Sequence, residues 1–200
     1  MLWLVAQLAV QTDWYGGPGV LGPVASWGNT FYTSQNVNYS NPGRISLVAI
    51  SWSFSSWARH LIDPNSSSHY QGFSAHDING DGYKDLILLS GDWVRWLEYV
   101  SDWNYTPHNV AFLAGISNYY FGAIWAEDLD GDGDKDIIVG DNADVSGVYV
   151  FWNEDGLGLT WTAQQVTTTP AAELFTGDLD GDGDADILFA NRNTSPTGVW

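Results

Sequence analysis

Three short runs gather most of the acidic side chains of this chain: DINGDGYKD from Asp77, DLDGDGDKD from Asp128 and DLDGDGDAD from Asp178, about 50 residues apart. Thirteen of the 24 Asp and Glu residues fall in these windows, whereas acids serving only solubility would be spread along the chain. Like charges held this close repel one another unless a counter-ion neutralises them. The chemistry on offer is ligation of a hard cation. A curling loop presents side-chain oxygens at positions 1, 3, 5 and 9 and a main-chain carbonyl at position 7, and calcium takes about six to eight oxygens at roughly 2.3 to 2.6 Å, with water completing the shell. The candidate ligands of the first loop are Asp77, Asn79, Asp81, Asp85 and the Tyr83 carbonyl. Those of the second are Asp128, Asp130, Asp132, Asp136 and the Asp134 carbonyl; those of the third are Asp178, Asp180, Asp182, Asp186 and the Asp184 carbonyl. Glycines at positions 4 and 6 permit the positive φ angles of a tight metal loop. An all-oxygen set favours calcium over zinc or copper, and magnesium fits less well because it keeps its waters and wants a strict octahedron. Three Ca²⁺ sites are expected, and filling them would bring the formal net charge of -18 to about -12.

The elements that must hold these loops are strands. Each loop runs straight into a short apolar, β-rich segment: Leu86 to Leu89, Ile137 to Val139 and Ile187 to Phe189. The loop starts like an EF-hand loop, but position 12, where an EF-hand places a bidentate glutamate, is Leu88, Val139 or Phe189 inside the strand. A second strand follows with a tryptophan (Trp96, Trp152, Trp200), and in the first two repeats a third strand opens on another (Trp103, Trp161). A last short strand leads into the next loop, as at Phe121 to Ala126 and Leu174 to Thr176. Four strands in about 50 residues is the proportion of a propeller blade. The expected fold is therefore all-β, a partial or open β-propeller-like array of about four four-stranded blades with calcium loops between strands.

Repeats are expected over 36–200, divided as 36–76, 77–127, 128–177 and a shortened 178–200. Trp52 and Trp57 stand where Trp96 and Trp103 stand, so the first repeat is degenerate, with Asn36, Asn38, Ser40 and Arg44 at the ligand positions of a loop over 36–44 that binds no calcium. Residues 11–35 carry Gly16-Gly17-Pro18-Gly19 and Gly22-Pro23 and read as a loop-rich lead-in. Residues 1–10 read either as a signal-peptide remnant or as a first strand. The last repeat stops in its second strand, so the expectation is a fragment of a longer protein or a blade completed by other strands.

Composition narrows the function. With 24 acidic and 6 basic residues, the chain is unsuited to nucleic acid and to anionic lipid, and cations are its natural partners. The absence of cysteine excludes disulfides and thiolate metal sites. No apolar run reaches the roughly 20 residues of a membrane-spanning helix. His60, His69, His76 and His108 make no metal-spaced pair, and neither a G-x-S-x-G elbow nor an H-E-x-x-H helix occurs, so no catalysis is expected. Glu98, Glu127, Glu154 and Glu173 are the remaining acid/base candidates, and His76 is read as packing against the loop rather than as a base. Of the twelve tryptophans, those recurring at the repeat period are assigned to the core, while Trp3, Trp14, Trp27, Trp93 and Trp125 are the surface candidates for stacking on sugars.

These loops and strands resemble the FG-GAP and VCBS repeat families, whose D-x-[DN]-G-D-G-x-x-D loops join strands of propeller blades, as in the head of integrin α chains. Phe121-Gly122 stands where the FG element belongs. The first repeat has Gly72-Phe73 reversed, the third has Phe175 without the glycine, and the GAP element is replaced by Gly140-Asp141-Asn142 or Ala190-Asn191-Arg192, which leans toward the looser VCBS type. The resemblance implies a secreted, extracellular or cell-surface protein with structural calcium and a role in adhesion or in binding a glycan or an extracellular protein. It also implies that about four repeats cannot close a seven-bladed ring. Two other expectations stand beside it: the propeller portion of a secreted carbohydrate-active enzyme, and a structural subunit that self-associates through unpaired blade edges.

Overall fold

The computed structural model describes the backbone of residues 24–27, 30–36, 45–53, 56–63, 70–113, 123–141, 147–190 and 198–199, and the side chains of residues 62, 72–113, 123–141 and 147–190. Fifteen strands are described, arranged in four antiparallel sheets, each a simple meander in which sequence neighbours pair. The first sheet is β1 (Val24–Trp27), β2 (Thr30–Asn36), β3 (Ile45–Ser53) and β4 (Ser56–Asp63). The second is β5 (Tyr70–His76), β6 (Asp85–Ser90), β7 (Trp93–Ser101) and β8 (Asn104–Phe112). The third is β9 (Ala123–Glu127), β10 (Asp136–Asp141), β11 (Gly147–Asn153) and β12 (Trp161–Thr167). The fourth holds β13 (Glu173–Gly177), β14 (Asp186–Ala190) and β15 (Gly198–Val199). Among the described residues no helix is long and apolar enough to cross a membrane.

The sheets stack face to face, which explains why the runs after the loops are apolar without alternation: β6 and β10 are buried along their whole length. Alternate residues of β6 serve opposite interfaces. Leu86 and Leu88 pack with Phe73, Leu97 and Ile62 toward the first sheet, while Ile87 and Leu89 join Val94, Trp96, Ile137, Val139 and Phe151 between the second and third. Ile138, Val148 and Val150 then meet Leu174, Ile187 and Phe189 of the fourth sheet. Each such aliphatic side chain contributes about 1.5 to 3 kcal/mol by leaving water. The first strands of successive sheets also touch, β1 against β5, β5 against β9 and β9 against β13. Tight approach at the third interface requires Gly140, where a Cβ would stand 2.9 Å from the Ala171 carbonyl oxygen.

The repeat counted from loop to loop is out of phase with the sheets. The strand before each aspartate loop pairs with the strand after it, His76 facing Asp85, Glu127 facing Asp136 and Gly177 facing Asp186. Each loop therefore bridges the first and second strands of one sheet rather than ending one unit and starting the next. In the first sheet Trp27 of β1 pairs with Thr30 of β2. Of the run expected as a degenerate loop, 36–44, Asn36 ends β2 and residues 37–44 lie outside the described residues, as do 1–23 and Trp200. Trp52 on β3, Trp96 on β7 and Trp152 on β11 do occupy matching third strands.

Candidate metal centres

Each loop begins where an inner strand ends, and one backbone geometry recurs three times. The position 1 carboxylate reaches across its loop: Asp77 accepts N–H bonds from Asp81 (3.1 Å) and Gly82 (2.9 Å), Asp128 from Gly131 (2.8 Å) and Gly133 (3.1 Å), and Asp178 from Gly181 (2.6 Å) and Gly183 (3.2 Å). Position 3 side chains accept from the position 5 amides: Asn79 from Asp81 (3.2 Å), Asp130 from Asp132 (3.2 Å) and Asp180 from Asp182 (3.1 Å). Position 5 carboxylates accept from the position 7 amides: Asp81 from Tyr83 (2.8 Å), Asp132 from Asp134 (2.8 Å) and Asp182 from Asp184 (3.0 Å). The turns depend on the position 4 and 6 glycines, whose φ runs from 72° at Gly80 to 104° at Gly183. Tyr83, Asp134 and Asp184, expected to lend carbonyls, thus sit at the closing turn of each loop. Tyr83 is exposed and stacks on Tyr99, ring centroids 5.1 Å apart.

Position 9 is different in kind, because it is the first residue of a buried strand. Asp85 accepts from the amides of Ile78 (2.9 Å) and Tyr99 (2.8 Å), and Asp136 from those of Leu129 (3.1 Å) and Asn153 (2.9 Å). Asp186 accepts from Leu179 (2.8 Å). Asp85 is 0% and Asp136 2% exposed. Burial pushes each carboxyl up to about 6, the two amide bonds pulling the other way and the loop carboxylates adding to the rise. Lys135, the residue before Asp136, forms an ion pair with Glu127 at 2.8 Å.

Carboxylate oxygens of Asp128, Asp130 and Asp132 lie within 4.8 Å of one another, and so do those of Asp178, Asp180 and Asp186. Oxygen-only donors of like charge, converging around glycine turns and backed in the first two loops by a buried carboxylate that has no salt bridge among the described residues, fit a hard divalent cation. Asp77, Asn79, Asp81 and Asp85 occupy the same positions of the first loop, with an amide oxygen in place of one carboxylate, but the Asp77, Asp81 and Asp85 carboxylates do not converge to that degree, and neither Asp136 nor Asp182 joins the cluster of its own loop.

Other expected residues fall into place around the loops. His76 is buried, held down at about 4 by burial first and then by Lys84 and Lys135, and its ring meets Trp125 edge-on at 4.7 Å. Glu98 bonds His108 at 2.9 Å, so two of the four glutamates are tied into ion pairs away from each other. Trp96 is buried, Trp103, Trp152 and Trp161 pack against the core clusters, and Trp125 is 39% exposed. Trp93 lies against Phe112 and under Arg95. The turn between β11 and β12 carries no motif in the sequence. There the Gly158 carbonyl accepts from both Trp96 Nε1 (2.9 Å) and Trp161 Nε1 (2.8 Å), and Asn153 is buried beneath it. The tryptophan period pointed to this neighbourhood; nothing in the sequence pointed to Asn153.

The chain matches the FG-GAP-like repeat family over residues 77–139 and 128–189. Among solved structures it is similar to an Agrocybe aegerita lectin described for specific recognition of non-reducing terminal N-acetylglucosamine, with a TM-score of 0.51 and 18% identity. The likeness covers 86% of this chain but 51% of the lectin, so the chain spans about half of that protein's length. No curated protein matches the chain. With more than half of its residues matched, and with the matched segments containing the aspartate loops and the strands that carry them, the chain belongs to the FG-GAP-like repeat family.

Proposed function

We propose that this chain is a non-catalytic, extracellular ligand-binding module of the propeller type, whose loops hold structural calcium and whose ligand is a glycan. The observation that carries the metal half is the pair of buried position 9 carboxylates, Asp85 and Asp136, which form no salt bridge with any cationic side chain among the described residues. Support for a propeller arrangement comes from sheets stacked face to face with their first strands in contact. Support for a glycan comes from likeness to a lectin and from Trp125, a 39% exposed ring two residues before Glu127 on β9, since flat aromatic faces suit sugar rings. Polymerisation through sheet edges is the weaker reading. The outer strands β8 and β12 are largely exposed and polar, β8 contains Pro107, and register shifts interrupt their pairing at Val94/Arg95, Tyr99/Ser101 and Val148/Tyr149.

The test is calorimetry with calcium, then with oligosaccharides ending in N-acetylglucosamine, on the whole chain and on Trp125→Ala. Sugar binding lost in the variant at unchanged calcium uptake supports the proposal. Sugar binding untouched by the substitution moves the site elsewhere, and turnover of the sugar would make the chain an enzyme.

A further inference from the structure

A chain of three hydrogen bonds joins the first loop to the second. Asp136, position 9 of the second loop, accepts from the Asn153 amide at 2.9 Å. The Asn153 side-chain Nδ2 donates to the Ile78 carbonyl at 3.1 Å, and the Ile78 amide donates to Asp85, position 9 of the first loop, at 2.9 Å. Every member is buried: Asp85 0%, Ile78 1%, Asn153 2% and Asp136 2% exposed. Such a path, running through low dielectric with no water to substitute for a broken link, is where hydrogen bonds are most sensitive to geometry. Asn153 is itself pinned, its Oδ1 accepting from Gly158 N–H at 3.0 Å while the Gly158 carbonyl is gripped by two indoles.

We infer that Asn153 is a positioning residue that couples the first two loops, so that filling either one raises the calcium affinity of the other. The peptide of Ile78 lies between Asp77 and Asn79, two of the first loop's ligands, so orienting it is part of forming that site. An ion at the second loop fixes Asp136 and, through Asn153, that peptide. The ordering cost is then met once for two sites, which is positive cooperativity without a change of fold. Direct repulsion between the ions acts in the opposite sense and is damped by salt.

This inference rests on the calcium reading, and its experiment separates the two. Calcium chloride is titrated into the full chain in 0.15 M salt while the amide signals of Gly82 and Gly133 report on the first and second loops by NMR. Disabling the second loop with Asp128→Asn and Asp132→Asn is expected to raise the calcium needed to half-fill the first loop about fivefold, the worth of roughly one hydrogen bond. In Asn153→Ala, scored below its melting temperature, the same disabling should change the first loop less than about twofold. If the first loop ignores the second in the chain with native Asn153, the coupling is refuted and the calcium reading stands; this arm needs no Asn153 variant. An equal shift with and without Asn153 assigns the effect to charge through space and also refutes the relay. No response of either glycine to calcium overturns both inferences.

Discussion

Stripped of calcium, this protein should lose stability as the pH rises, the reverse of a protein whose carboxylates are salt-bridged. The cause is the displacement of Asp85 and Asp136 from 3.8 to about 6. A carboxyl that binds its proton more tightly folded than unfolded contributes no penalty below the unfolded value. It then costs stability progressively as the pH climbs through the folded value. A displacement of about two units at about 1.4 kcal/mol each amounts to about 3 kcal/mol per group, and both side chains are too buried for water to screen the effect. The two together approach about 6 kcal/mol, against a total margin of roughly 5 to 15 kcal/mol for a typical domain. Two groups work in the other direction. Burial holds His76 at about 4 against an ordinary 6.5, so about 3 kcal/mol of stability is gained as the pH rises between those values. Burial alone would raise Glu127, but the Lys135 ammonium holds it low, so its small share also grows with pH. The net loss is about 3 kcal/mol. The assay is urea unfolding of decalcified protein, followed by tryptophan fluorescence between pH 4 and 7.5. The midpoint should fall modestly as the pH passes through about 4 to 6, and Asp136→Asn should remove most of the fall. In millimolar calcium the trend should invert, because ion and proton compete for the same oxygens. A midpoint of the decalcified protein that rises with pH, or that Asp136→Asn leaves unchanged, would refute the claim that these carboxylates are buried with no cation to neutralise them.

Three shorter tests follow from the packing and the loops. Gly158→Ala should destabilise by at least about 2 kcal/mol in a thermal melt, since φ is +72° and the new Cβ would stand 2.8 Å from the Trp96 ring. Ile138→Ala, which opens the interface between the third and fourth sheets, should cost about 2 to 5 kcal/mol in the same melt with calcium affinity of the first loop unchanged. Adding a chelator at pH 7.5 should lower the melting temperature, the effect growing with the calcium concentration it replaces, because ions that bind only the native state stabilise it by mass action.

The loops and the strands that follow them were legible because their signals are local. Acidic residues at alternating positions with glycines between them specify a turn, and uninterrupted runs such as Leu86 to Leu89 specify a strand covered on both faces. Trp96 was placed in the core from its recurrence alone, and it is 1% exposed. Sheet membership was less legible. A strand before a loop can pair across it or belong to the preceding unit, and only the register, His76 with Asp85, decides between them. The expected loop at 36–44 is not settled in this way, because residues 37–44 lie outside the described residues. Asn153 was invisible because its role comes from a bond to a residue 75 positions away. A single asparagine at a strand end carries no periodic or compositional mark, and its function exists only once two sheets are stacked.

Whether hard cations occupy the aspartate loops is decided most directly by counting them. Native mass spectrometry of the whole chain in millimolar calcium should find three ions per molecule, two after Asp178→Ala and Asp182→Ala, and the same ions absent after chelation. A chain that flies without bound calcium under those conditions, or takes up the same number after the loop aspartates are removed, would contradict the assignment.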